Sequence, residues 1–378
     1  MKNLRFGFRV FFRAGLLFPA VVFLALAGCT NSETKPERGA ATVAASGTFT
    51  LMTWNVQNLF DGIDNGFEYD EFKQSAGWST EKYLGRINSI SSAIRQIAPL
   101  PDIIMLQEIE SLKIFEDLAR SISGGYSWSH FANNPGAVLG VGFLSKLPVS
   151  DTKAHSISVE GKTTPRPVLE TRVKAGSGEF VIFVCHWKSK LGGDDVTESV
   201  RRASARVILR RIRELWENEP ELGVIVAGDL NENHDEFFRQ NAGIISALLP
   251  DDPFSAQLTG CVGVDGEDPS RQKDFIVLSK NKPPEPVNFP DGSIVLFSPW
   301  LKDIEDGSYY YKNNWETIDH FLISKQFFNN SGLEYEKALT ANFQPFTNAA
   351  GTPVSYNQRT GTGLSDHLPL LLTLKTVE

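Results

Sequence analysis

Short and almost wholly apolar runs recur at residues 49–54, 102–107, 138–144, 166–173, 179–186, 223–227, 318–323 and 368–374. The first reads as a strand buried on both faces and the second, bounded by Pro101, as another buried strand. Helices alternate with some of these runs: Tyr83, Ile87, Ile90, Ile94 and Ile97 recur at helical spacing behind a cap at Thr80 and stop before Pro99, and further helical patterns span 111–122 and 197–216. Between Val138 and His186 the apolar runs follow one another with no helical period between them, a meander, so the sheets are mixed. No internal repeat is visible, and no polar linker interrupts the chain from residue 48 until a Pro-rich stretch near 280. The reading is one α/β domain over 48–378.

The first residues read differently. Lys2, Arg5, Arg9 and Arg13 precede an apolar run from Ala14 to Ala25 that carries Pro19 and is shorter than the ~20 residues a membrane span needs. The run ends in Leu26, Ala27, Gly28 and Cys29, which resembles the bacterial lipobox. That resemblance implies a signal peptide over 1–28, lipidation of Cys29, a polar tether over 29–47, and an extracytoplasmic domain held at a membrane by acyl chains. Without the four leader cations the net charge of −8 becomes −12, so bulk charge does not attract a polyanion and any nucleic-acid contact must be local. Three scattered cysteines are too few for a disulfide framework or a thiolate zinc site, and leave a Cys185 to Cys261 bridge open.

Polar residues gather just beyond strand ends, where open α/β folds place their sites. Singly each has a plain explanation: Asn55 could close a turn, Glu108 begin a helix, Asp229 and Asn231 form an Asx turn, Asp319 and His320 sit as a surface pair, and His186 be a satisfied core residue. Together they suit hydrolysis of a phosphodiester, which needs a hard cation, a base or orienting group for water, and donors for the phosphoryl oxygens. Glu108 and Asp366 offer oxygens to magnesium, His367 titrates near neutrality with Asp319 as its carboxylate partner, and Asn55, Asn231 and His186 can bond the phosphate. No Gly-x-Ser-x-Gly nucleophile device is present.

The runs TWNVQNLF (53–60), LQEIE (106–110), HWKS (186–189), GDLN (228–231), IDHFLIS (318–324) and SDHLP (365–369) resemble, in order, the motifs of the endonuclease/exonuclease/phosphatase superfamily. The resemblance implies a DNase I-like four-layer α/β/β/α sandwich of two mixed sheets, with one active site at the sheet edge. It implies Mg2+ (or Mn2+, with Ca2+ as a further option) near Asn55, Glu108 and Asp366, and catalytic positions at His186, Asp229, Asn231, Asp319 and His367. Whether His367 or Asp229 is the base stays open.

His186 sides with DNase I-like and sphingomyelinase-like members, and HWKSKLGG resembles secreted bacterial nucleases in which the lysines approach the substrate backbone. Lys188 and Arg166 are the candidate substrate contacts. Eight basic residues between 186 and 213 form either a phosphate track or a solvated helix face. From Asn231 to Ile318 the chain departs from compact members, with DGED (265–268), a Pro-rich piece and the cluster Tyr309, Tyr310, Tyr311 and Trp315, which either stacks on bases or packs. The expected protein is a monomeric, membrane-anchored, metal-dependent phosphodiesterase, an endonuclease on DNA or RNA. The rivals are a sphingomyelinase or phosphoinositide-type phosphatase, and a catalytically silent surface lipoprotein.

Overall fold

The computed structural model describes residues 47–176, 178–239, 245–262 and 274–377. The signal segment 1–28, Cys29, nearly all of the tether and the DGED run lie outside the described residues. Among the described residues there are eighteen strands. In chain order they begin with β1 (Thr48–Leu59), β2 (Ile103–Ile109), β3 (Trp128–Ala132), β4 (Gly140–Ser145), β5 (Val149–His155), β6 (Ser158–Val159), β7 (Lys162–Thr163), β8 (Val168–Ala175) and β9 (Gly178–His186). They continue with β10 (Gly223–Asp229), β11 (Leu248–Pro250), β12 (Ile276–Ser279), β13 (Val295–Phe297), β14 (Tyr309–Tyr311), β15 (Asn314–Glu316), β16 (Asp319–Ile323), β17 (Gly332–Thr340) and β18 (Leu370–Val377). The helices are α1 (Thr80–Ile94), α2 (Leu112–Ile122), α3 (Asp194–Asn218), α4 (Glu236–Arg239) and α5 (Pro253–Val262).

Six strands form one sheet in the order β17-β18-β1-β2-β4-β3, and eight form the other in the order β11-β12-β13-β16-β10-β9-β8-β5. Both are mixed: β1 runs parallel to β2 and antiparallel to β18, while β10 runs parallel to β9 and antiparallel to β16.

Strand periodicity explains the layers. Phe49, Leu51, Ile103, Met105, Ile182, Val184, Ile225, Ala227, Phe321 and Ile323 point between the sheets into one core. Their neighbours Met52, Trp54, Ile104 and Leu106 point the other way, onto Ile87, Ile90 and Ile94 of α1 and Phe115 and Leu118 of α2. Across the molecule Val181, Phe183, Cys185, Val224 and Val226 meet Ile208, Leu209, Ile212 and Leu215 of α3. Every face of each central strand is therefore covered, which is why these runs carry no polar alternation.

Several local expectations shift. Ser79, in extended conformation, caps α1 in place of Thr80, its hydroxyl accepting from the Lys82 amide at 3.3 Å. Strand β1 runs on past Asn55 to Leu59, and α3 opens at Asp194, behind Gly193 at φ 109°. The stretch after Asn231 adds β11, β12 and β13 to the edge of the second sheet. Cys185 is a buried free thiol, so it makes no bridge to Cys261. Among the described residues no helix is long and apolar enough to cross a membrane.

Candidate active site

At one end of the sandwich the apolar layer between the sheets gives way to a polar one, and the same strand phase that builds the core aims the site. Asn55 follows Leu51 and Thr53 on the inward face of β1, His186 follows Ile182 and Val184 on β9, and Asp229 follows Ile225 and Ala227 on β10. Asp319 starts β16 in phase with Phe321 and Ile323. Glu108 is the exception: by alternation it would face α2 with Ile104 and Leu106. A register shift between Gln107 and Ile109, with Glu108 at φ 66°, turns its carboxylate to the site. Gln57, Asn58 and Asn231 also have left-handed backbones (φ 55°, 54° and 53°), a concentration of strain of the kind stored at functional sites. Gly228 is obligatory before Asp229: at φ 126° any Cβ would stand 2.1 Å from the Cys185 carbonyl oxygen.

The floor is a bonded cluster. Asn55 Nδ2 donates to Glu108 Oε1 at 3.1 Å and to Asp229 Oδ2 at 2.9 Å, while its Oδ1 accepts from the Gln57 amide at 2.9 Å. Asn55 is thus a donor bridging two carboxylates. The Asn58 amide bonds Glu108 Oε2 at 2.7 Å, and the Asn231 amide bonds Asp229 Oδ1 at 2.9 Å. The Asn231 side chain bonds the Trp187 carbonyl at 3.1 Å. Opposite, His367 Nδ1 lies 2.8 Å from Asp319 Oδ2, which also accepts from Ser308 Oγ at 2.7 Å. Half-buried Asp366 lines the cleft beside it, its Oδ1 3.9 Å from His367 Nε2, and its own amide bonds Gln57 Oε1 at 3.0 Å.

His186 is buried with neither ring nitrogen hydrogen-bonded, its Nε2 3.5 Å from Glu108 Oε1 and 3.7 Å from Asp229 Oδ2. It is not a satisfied core histidine. An unpaired buried polar group costs about 1–3 kcal/mol, which a ligand would recover.

Charge follows from burial and proximity. Burial, then the Asp319 charge, pushes the Asp229 carboxyl up to about 7. Burial would lower the His367 imidazole, but the charge and hydrogen bond of Asp319 outweigh it and raise it to about 10. Burial, aided by Arg166, His367 and Lys188, holds His186 well below the ordinary histidine range. Burial raises the Asp366 carboxyl against the pull of His367. At neutral pH His367 is therefore the charged imidazole and His186 the neutral one.

The cleft above this floor has a volume of about 1190 Å³. The aromatic cluster divides over it. Tyr309 and Tyr311, stacked with centroids 6.0 Å apart, line the cleft, with Tyr309 4.6 Å from the His367 ring. Tyr310 and Trp315 pack edge to face on the other side of the same hairpin. Arg166 reaches the cleft while bonding the Trp187 carbonyl. Lys188 turns its ammonium onto the carbonyls of Ser189 and Leu191, both at 3.1 Å, and Lys190 lines the cleft, tied to Glu236 at 2.5 Å.

The run of cations on α3 is not a phosphate track. Arg201 is fully buried against Glu198 and Glu232, Arg202 and Arg206 bind Asp274, and Arg211 binds Glu170. Sequence reading missed Gln57, Asn58 and Ser308. Only Gln57 and Asn58 had a signal, their place inside the first motif.

Two groups of ligand atoms, Glu108-His186-Asp229 and Asp229-Asp319-His367, each fall within 4.8 Å. A donor set rich in carboxylate oxygen beside an unpaired imidazole fits a hard divalent ion.

A family model described as Endonuclease/Exonuclease/phosphatase family matches residues 50–244, more than half of the chain. Truncated TDP2 from Caenorhabditis elegans superposes with a TM-score of 0.50 at 13% identity, over 86% of this chain and 97% of that one. An endonuclease/exonuclease/phosphatase family protein from Bacteroides thetaiotaomicron does so with 0.50 at 14% identity, over 88% and 96%. No curated protein matches the sequence. At such identities the superpositions speak for the fold, two mixed sheets flanked by helices as the motifs imply, and the family match speaks for descent. The chain belongs to the endonuclease/exonuclease/phosphatase family, and is a hydrolase of that divalent-metal-dependent, DNase I-like group.

Proposed function

We propose that this protein is a membrane-tethered, extracytoplasmic phosphodiesterase that cleaves nucleic acid with magnesium or manganese. The observation that carries the chemistry is the pairing of a near-neutral Asp229 with a cationic His367 on the floor of one open cleft. A hard divalent ion held at Glu108 and its neighbours supplies charge neutralisation on the phosphoryl oxygens. Asp229, oriented by Asn55 and the Asn231 amide, exchanges a proton near neutrality and is the base for water. His367, fixed by Asp319, presents Nε2–H to a phosphoryl oxygen. His186, neutral, offers a hydrogen bond and not an acid's proton to the departing oxygen.

One feature supports a nucleic-acid substrate. The Tyr309 and Tyr311 rings stand at the cleft, where stacking on a base contributes ~1–3 kcal/mol per ring.

One observation favours a small phosphate ester instead. Glu68, Asp70, Glu71, Asp194 and Glu316 also line the cleft, and they repel a long polyanion. The deciding experiment incubates the purified protein with plasmid, RNA, sphingomyelin and an aryl phosphodiester in magnesium, manganese, calcium or chelator. Nicking or RNA cleavage that chelator stops supports the proposal; phosphocholine release with intact plasmid and RNA overturns it.

A further inference from the structure

A second hollow of about 470 Å³ shares Tyr69, Arg166 and His186 with the cleft. That volume lies within the ~300–1,000 Å³ of small-molecule sites. Its composition is unlike that of the cleft. Val138, Leu139, Val159, Pro165 and Val200 give apolar walls, and Thr163, Thr164 and Ser204 bring hydroxyls. Lys162, Arg166 and Lys188 bring positive charge, and no carboxylate is among the described residues that line it. The cleft next door is rich in carboxylates. Buried His186, whose imidazole is without a hydrogen-bond partner, lines both.

We infer that this hollow is a nucleoside-phosphate subsite, which takes the nucleotide next to the scissile phosphate with its base on the apolar walls and its own phosphate toward Lys162, Arg166 and Lys188. The inference rests on the phosphodiesterase reading of the neighbouring cleft and adds to it where substrate selectivity resides. The charge pattern favours a nucleotide over a choline lipid: three cations and no carboxylate among the described lining residues select an anion over a quaternary ammonium, and Tyr69 and Trp187, which also line the hollow, serve a base as well as a cation. The apolar walls give a planar base the enclosed surface that the carboxylate-lined cleft lacks.

The test is calorimetric binding of 5′-AMP to the full-length protein in excess chelator, where no hydrolysis intervenes. Val200→Trp fills the hollow from the half-buried face of α3. Lys162→Glu, on the exposed β6-β7 hairpin, reverses one charge without touching a core. The inference expects AMP to bind, each variant to raise its Kd at least fivefold, and dodecylphosphocholine not to displace it. With magnesium, the same variants should lose more kcat/KM on a dinucleotide than on an aryl phosphodiester. Absence of AMP binding, a change below fivefold in Lys162→Glu, or displacement by dodecylphosphocholine overturns it. Failure of the wild type to hydrolyse any diester would instead strike at the reading of the cleft.

Discussion

Asn55 of the first sheet donates its side-chain amide to Asp229 of the second across 2.9 Å, a contact between residues 174 positions apart that sews the two sheets together at the floor of the cleft. The same nitrogen reaches Glu108, so one side chain sets the spacing of two carboxylates. Its removal leaves buried acceptors unpaired, at about 1–3 kcal/mol each. Asn55→Ala should therefore lower stability by that order. It also removes a bond that holds the Asp229 carboxyl down, so the acidic limb of the pH-rate profile should move upward. Denaturant melts and a pH series check both.

If Asp229 is the base, kcat/KM rises as its carboxyl deprotonates, with an acidic limb at about 7 or below it once a divalent cation is bound. A base at His367 would place that rise near 10 instead. Asp229→Asn should lose ~10²–10⁴ in turnover and abolish the limb. A His367→Ala variant that keeps wild-type turnover would remove the cation assigned to the phosphoryl oxygen.

Glu108 owes its direction to a bulge, and Asn58 and Asn55 pin both its oxygens. Glu108→Gln keeps the shape and loses the charge. The magnesium concentration for half-maximal rate should rise tenfold or more, with the melting temperature in chelator changed by a few degrees at most. Metal titrations of the rate, beside melts, separate the two.

His320, buried behind the site, bonds the Glu232 carbonyl at 2.8 Å, and burial holds its imidazole down at about 4. The unfolded chain binds this proton first, at about 6.5. The contribution of His320 is thus complete above that pH and is lost as pH falls from about 6.5 to 4, on the order of 3 kcal/mol in all. The stability difference between wild type and His320→Gln should shrink across that window, as urea titrations at several pH values would show.

Much of the site could be read in the sequence for one physical reason. Central strands have both faces covered, so their runs are apolar, and the first polar residue in phase beyond the run stands at the sheet edge facing the cleft. Asn55, His186, Asp229 and Asp319 obey this. Glu108 does not, because a bulge reverses its face and no residue type announces a bulge there. Edge strands escaped for the opposite reason: β5 is mostly exposed, β3 has a single buried residue, and both carry little apolar signal. Arg201 reads as a surface cation until Glu198 and Glu232 close round it, and such pairing across elements has no local signature.

The central claim is a single metal-dependent centre built from Glu108, Asp229 and His367. The measurement that reaches it most directly is hydrolysis of an aryl phosphodiester by the purified protein, with magnesium and then with excess chelator, in wild type, Glu108→Gln, Asp229→Asn and His367→Ala. The account predicts turnover with magnesium that chelator abolishes and readdition restores, and a loss of at least a hundredfold in the Asp229 and His367 variants. Wild-type turnover that persists in chelator, or that survives both substitutions, would contradict it.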